Sequence, residues 1–127
     1  MWQEILQGGG GVSSSFQYST EEQKTNAKWI NGKPLYIKTI KCNALVSGGS
    51  NTAHNIDNVD LIFADTSTSF IYNPATKNTM NIPFPNDVQA NQTNVACSPT
   101  SVSVWCGSGN YSAWEVYVTI VYTKTTD

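Results

Sequence analysis

One histidine, three cysteines and nine carboxylates are all that the chain offers for catalysis or metal binding. His54 stands alone, so no multi-histidine metal site can form within one chain. A serine triad would need Asp57 or Asp60 to orient that histidine, and a serine in a nucleophile's setting; no serine here has the surrounding signature. His54 reads instead as a histidine whose ring nitrogens are satisfied by local backbone near a strand start. Asp57, Asp60 and Asp65 lack the Asp-x-Asp-x-Asp-Gly spacing of a calcium loop and read as turn and edge residues. Cys42, Cys97 and Cys106 are odd in number and form no CxxC pair, which excludes a complete disulfide framework within one chain and disfavours zinc. Cys97 and Cys106 flank a short segment and can face each other across a hairpin. Three small buried thiols in a reducing cytoplasm are the simpler reading. A hydrolase acting on glycan would want a positioned pair of carboxylates, whereas the acids here fall mostly in turns. The expectation is a binding module with no catalytic residue, no metal and no cofactor.

Residues suited to recognition are easier to find. Gly107-Ser108-Gly109-Asn110-Tyr111-Ser112 is a short polar loop with Trp105 just before it and Trp114 just after. A sugar asks for an aromatic surface against the apolar side of its ring, and for amides or carboxylates against its hydroxyls. Trp105 and Trp114 hold strand positions that favour a cross-strand partnership in the core. That leaves Asn110, Tyr111 and Ser112 as ligand contacts. Asp65-Thr66-Ser67-Thr68-Ser69 is a second candidate loop, with Asp65 and Thr66 as its contacts; the plainer alternative is a polar hairpin tip.

Composition narrows the partners. Charged residues are 13% of the chain and the formal net charge is -2, while Ser, Thr and Asn crowd the polar positions. Without a Lys/Arg cluster, a phosphate backbone is not the expected partner, so no nucleic acid is predicted. No apolar run approaches the ~20 residues of a membrane-spanning helix, so no membrane insertion is expected. The first residues have neither the basic start nor the apolar core of a signal peptide.

Candidate loops need a rigid frame. The run from Ala113 to Lys124 is β-branched and aromatic almost throughout. Extended, it puts Trp114, Val116, Val118, Ile120 and Tyr122 on one side, with Glu115, Thr119, Thr123 and part of Tyr117 on the other. Period two therefore predicts a long central strand with one buried face. Residues 35–41, 59–64, 69–72, 80–83, 93–97 and 101–106 read as further strands. Asn31-Gly32 marks a tight turn, Pro34 a strand start or an edge position, Asn73-Pro74 another turn and 47–51 a loop. Ser19 or Thr20, with Glu22 or Gln23 three residues on, predicts one helical turn. The sum is an all-β fold, an antiparallel β-sandwich of jelly-roll-like kind. Gly8-Gly9-Gly10-Gly11 followed by Val12-Ser13-Ser14-Ser15 reads as a flexible linker. The chain divides into an N-terminal segment and linker, 1–17, and a head domain, 18–127.

Three stretches carry a family resemblance. Tyr18-Ser19-Thr20-Glu21-Glu22-Gln23 and Trp29-Ile30-Asn31-Gly32-Lys33-Pro34-Leu35-Tyr36-Ile37-Lys38-Thr39-Ile40 open the domain, and the residues from Tyr117 to Asp127 close it. Together, over about a quarter to a third of the chain, they resemble the C-terminal head domain of bacteriophage tail fibres, baseplate proteins and other minor structural proteins. His54-Asn55-Ile56 stands where that family often has His-Gly-Ile. The resemblance implies a virion protein assembled in the bacterial cytoplasm, usually a homotrimer, whose β-sandwich head contacts a glycan or protein of the host surface. A structural module that binds no receptor, such as a capsid decoration or trimerisation cap, is the alternative.

Overall fold

The computed structural model describes residues 17–108 and 111–127. The glycine-rich linker and the segment before it lie outside the described residues, as do Gly109 and Asn110 of the first candidate loop. Nine strands follow one another among the described residues: β1 (Gln23–Lys28), β2 (Pro34–Cys42), β3 (Ser50–Ala53), β4 (Val59–Ala64), β5 (Phe70–Asn73), β6 (Asn78–Asn81), β7 (Thr93–Cys97), β8 (Ser101–Cys106) and β9 (Glu115–Lys124). All pairings between them are antiparallel, and the only helical element described is one 3-10 turn, Gln89–Asn91.

The strands divide into two sheets that pack face to face as a β-sandwich. One runs in the order β1-β2-β9-β5-β6 with β4 also paired to β9; the other is β3-β8-β7. β9 is the central strand. It pairs with β2 from Tyr36↔Tyr122 to Cys42↔Val116 and shares its opposite side between β4 and β5. Val116, Val118, Ile120 and Tyr122 are fully buried in the interior, as their alternation predicts, and meet Val102, Val104 and Cys106 of β8 there. Trp114 packs against this core from just before the strand.

The other side of β9 differs from expectation, because Thr119, Val121 and Thr123 are also buried. The hairpin between β1 and β2 supplies part of the cover: Ala27 and Trp29 pack on Leu35, Ile37 and Val121, and the Trp29 ring lies 6.0 Å from that of Phe63. This hairpin is a three-residue loop. Gly32 N–H donates to Trp29 O, Trp29 N–H donates to Lys33 O, and Gly32 takes φ +87°, the left-handed position that the tight-turn signal demanded.

Three further readings change. Trp105 is 38% exposed rather than a core partner of Trp114. Parity explains it: Val102, Val104 and Cys106 point inward, so Ser101, Ser103 and Trp105 point out, and Trp105 faces Asn94 of β7 in the sheet that lacks Trp114. The predicted helical turn at Ser19 is absent, since the Ser19 hydroxyl accepts from Glu21 N–H at 3.0 Å and the chain enters β1. Residues 50 and 51, taken as loop, begin β3. The cysteines keep their simpler reading as free thiols: Cys97 and Cys106 sit at opposite ends of the β7–β8 pairing, opposite Val102 and Thr93, and only Cys97 is less than fully buried. His54 is satisfied by backbone as expected, but just after the end of β3 and with one partner far away in sequence. Its Nε2 donates to Ser98 O at 3.0 Å and its Nδ1 accepts from Ile56 N–H at 3.2 Å, which assigns the proton to Nε2.

Candidate functional site

β4 and β5 run in the same direction along the same side of β9 and amount to one strand interrupted by residues 65–69. The excursion is held by substituted hydrogen bonds. Asp65 N–H donates to Thr119 O at 2.8 Å, as a strand would. Thr119 N–H has no facing carbonyl and donates instead to the Ser69 hydroxyl at 3.0 Å, which itself donates to Asp65 O at 2.8 Å. The Asp65 carboxylate accepts from Ser67 N–H and Ser67 Oγ, and Asn81 Nδ2 donates to Ser69 O at 3.3 Å. A polar sequence with no hydrophobic anchor is thereby kept in one shape above the sheet.

Beside it, the outward positions of four adjacent strands line up in a row. Lys41 of β2 faces Tyr117 of β9, Tyr117 faces Phe70 of β5, and Phe70 faces Asn81 of β6. The Tyr117 and Phe70 rings stack at 5.4 Å. A groove of about 650 Å³ opens over this pair, with Thr39 and Thr79 from the sheet, Ser67 and Thr68 from the excursion, and Tyr18 to Thr20 from the segment before β1. That segment is tied down where Thr39 N–H donates to Ser19 O at 2.8 Å.

Among the described residues, none that lines the groove carries a charge. Its hydroxyls differ in availability. Ser67 is engaged with Asp65 and Thr39 with Thr119. The Thr20 and Thr79 hydroxyls and the Asn81 side-chain oxygen make no hydrogen bond with the described residues. The Tyr117 hydroxyl donates to Glu115 at 2.6 Å. That hydrogen bond to the Glu115 carboxylate, with burial second, raises the pKa of Tyr117; burial and then the Asp65 charge raise that of Tyr18. Chemically the described part of the groove is an aromatic surface bordered by neutral donors and acceptors.

The predicted contacts are placed as follows. Asp65 braces the second candidate loop; Thr66 is exposed at its tip, and Ser67 and Thr68 are the members that line the groove. Tyr111 is buried in the core, donating its hydroxyl to Asn91 O at 2.9 Å and meeting Trp114 edge-on at 6.1 Å. Ser112 is exposed and lines no part of the groove, and Asn110 lies outside the described residues. The groove therefore takes described residues from the second loop and none from the first. Phe70, Tyr117, Thr39, Thr79 and Asn81 were missed by sequence reasoning. Their signal was the outward parity of their strands, but parity does not say which outward residues are neighbours.

Compared with protein-family models, with curated proteins and with solved structures, the chain matches none of them.

Proposed function

We propose that this β-sandwich is the receptor-binding head of a bacteriophage appendage, a virion protein that contacts a glycan of the host surface. The observation that carries the reading is the groove over Phe70 and Tyr117. Stacked aromatic rings suit the C–H face of a sugar, and the free Thr20, Thr79 and Asn81 groups suit its hydroxyls. The resemblance of 18–23, 29–40 and 117–127 to phage head domains supports the setting. On this reading the head binds and does not cleave, and three copies act together, so that weak sites gain avidity.

A second reading is a structural module that binds no receptor. Ile30, 89% exposed at the tip of the β1–β2 hairpin near Trp29 and Phe63, favours it, since such a tip suits contact with another virion subunit.

Adsorption separates the two. Labelled domain is incubated with candidate host cells before and after enzymatic removal of surface glycan. Saturable binding that disappears with the glycan and with Phe70→Ala is the expected result. Absence of binding to every host that adsorbs the intact particle would leave the structural module.

A further inference from the structure

We infer that the outer face of the three-stranded sheet is a second saccharide-binding surface, built around Trp105 and separate from the groove. Trp105 is 38% exposed at an outward position of β8 and faces Asn94 of β7. Ser103, the preceding outward residue, faces Asn51 of β3. Gly49 runs beside the indole: a Cβ there would meet its Cδ1 at 3.6 Å, so the glycine leaves that side of the ring bare.

The polar groups beside the ring are set as donors. Asn94 Oδ1 accepts from Val95 N–H at 2.9 Å, and Asn51 Oδ1 accepts from the Ser103 hydroxyl, which fixes each amide with its Nδ2 unspent. Neither Nδ2, nor the Trp105 Nε1, makes a hydrogen bond with the described residues. Three N–H donors thus share one face with an exposed aromatic surface. A sugar matches that set, because its C–H side packs on an indole while its hydroxyl and ring oxygens accept.

The size of the face argues for a saccharide chain rather than a protein. Its other outward residues are short (Ala53, Ala96 and Ser101), which leaves a flat floor beside the indole. With strands ~4.8 Å apart and ~3.3 Å per residue, the face covers roughly 200–300 Å². A stable protein interface takes ~800 Å² from each partner. The groove lies on the outer face of the other sheet, so one head can hold saccharide on both faces and gain avidity from a single polymer.

The test uses the full chain labelled with nitrogen-15, in which the Trp105 indole N–H resonance is assigned by its loss in Trp105→Ala. The probes are glucan, galactan, mannan, rhamnan, chitin and galacturonan oligosaccharides, and glycan released from a host that adsorbs the labelled domain. At least one probe is expected to shift that resonance saturably, and to keep doing so in Phe70→Ala. Its binding at this face should weaken about tenfold or more in Trp105→Ala. Asn94→Asp, which keeps Oδ1 for Val95 N–H and removes the amide donor, should weaken it as well. Circular dichroism checks the fold of each variant. A resonance that no saccharide moves overturns the second site, as does unchanged binding in both Trp105→Ala and Asn94→Asp. If the resonance moves with protein concentration alone, the face belongs to a second copy of the chain and the inference falls. Binding abolished by Phe70→Ala and untouched by Trp105→Ala overturns this site and leaves the groove; the reverse pattern leaves this site and overturns the groove.

Discussion

The Ser69 hydroxyl stands in for a missing strand partner of Thr119, accepting the Thr119 amide at 3.0 Å where both residues are fully buried. That one bond lets β4 and β5 interrupt their pairing with β9 without leaving a backbone donor unsatisfied, and so lets the 65–69 excursion rise beside the groove. Ser69→Ala should leave the Thr119 N–H buried and unpaired at a cost of about 1–3 kcal/mol. Urea unfolding measures it. A loss under about 0.5 kcal/mol would mean that another group or a water takes over the amide.

Two tryptophan and isoleucine positions separate interior from surface. Ile120, fully buried at the centre of β9, should cost about 2–5 kcal/mol as Ile120→Ala. Trp105→Ser should cost much less than the roughly 3–5 kcal/mol of a core tryptophan, because the indole is outward on β8. Equal losses for the two variants would place Trp105 in the interior after all.

Gly107 is required for a close approach rather than for its φ. A Cβ there would overlap Gln89 O and lie 2.8 Å from the Ala90 Cα, backbone atoms of the 3-10 turn. Gly107 N–H and Ser108 N–H bond that region through Gln92 O and Ala90 O, both at 3.0 Å, so neither side can withdraw freely. Gly107→Ala should lower stability by about 1–3 kcal/mol and lower Tm. Thermal melts beside Gly48→Ala, whose Cβ would meet nothing within 4 Å but whose φ is +85°, compare overlap with backbone strain.

Glu22 links stability to pH. Burial pushes its carboxyl up, but hydrogen bonds from Lys124 at 2.7 Å and Tyr122 at 2.6 Å, with the Lys124 charge, outweigh that and hold it below its ordinary value. A depressed carboxylate contributes stability that is complete above its unfolded pKa, near ~4.3, and lost as pH falls through the lower folded value. The urea midpoint should therefore drop on acidification below ~4.3, and Glu22→Gln should lose part of that dependence. At pH 7 the variant should be less stable by at most about 1 kcal/mol, since the pair is partly exposed. Parallel pH profiles for the two proteins would remove Glu22 from this account.

Period two alone was enough to show that 115–124 is a strand, that Val116, Val118, Ile120 and Tyr122 share its interior side, and that the protein is all-β. Those features depend on neighbours one or two residues apart, and the chain states them directly. The same logic identified β4, β7 and β8 to the residue, and β2 to within one residue at each end. It missed β1 and β3, whose Gln, Lys, Asn, Ser and Thr residues are strands only because β2 and β8 offer them hydrogen bonds.

The site was less legible for the same reason. Asp65 and its loop were visible as a polar interruption, but Phe70 became a partner of Tyr117 only through the register of two strands that lie far apart in sequence. Trp105 and Tyr111 exchanged their expected places: parity within β8 turned the indole outward, while the Asn91 carbonyl drew the phenol inward. Local periodicity determines which residues leave each strand on the same side. Which of them then meet is decided by strand order and register, which arise from burying two sheets against each other and are written in no single segment.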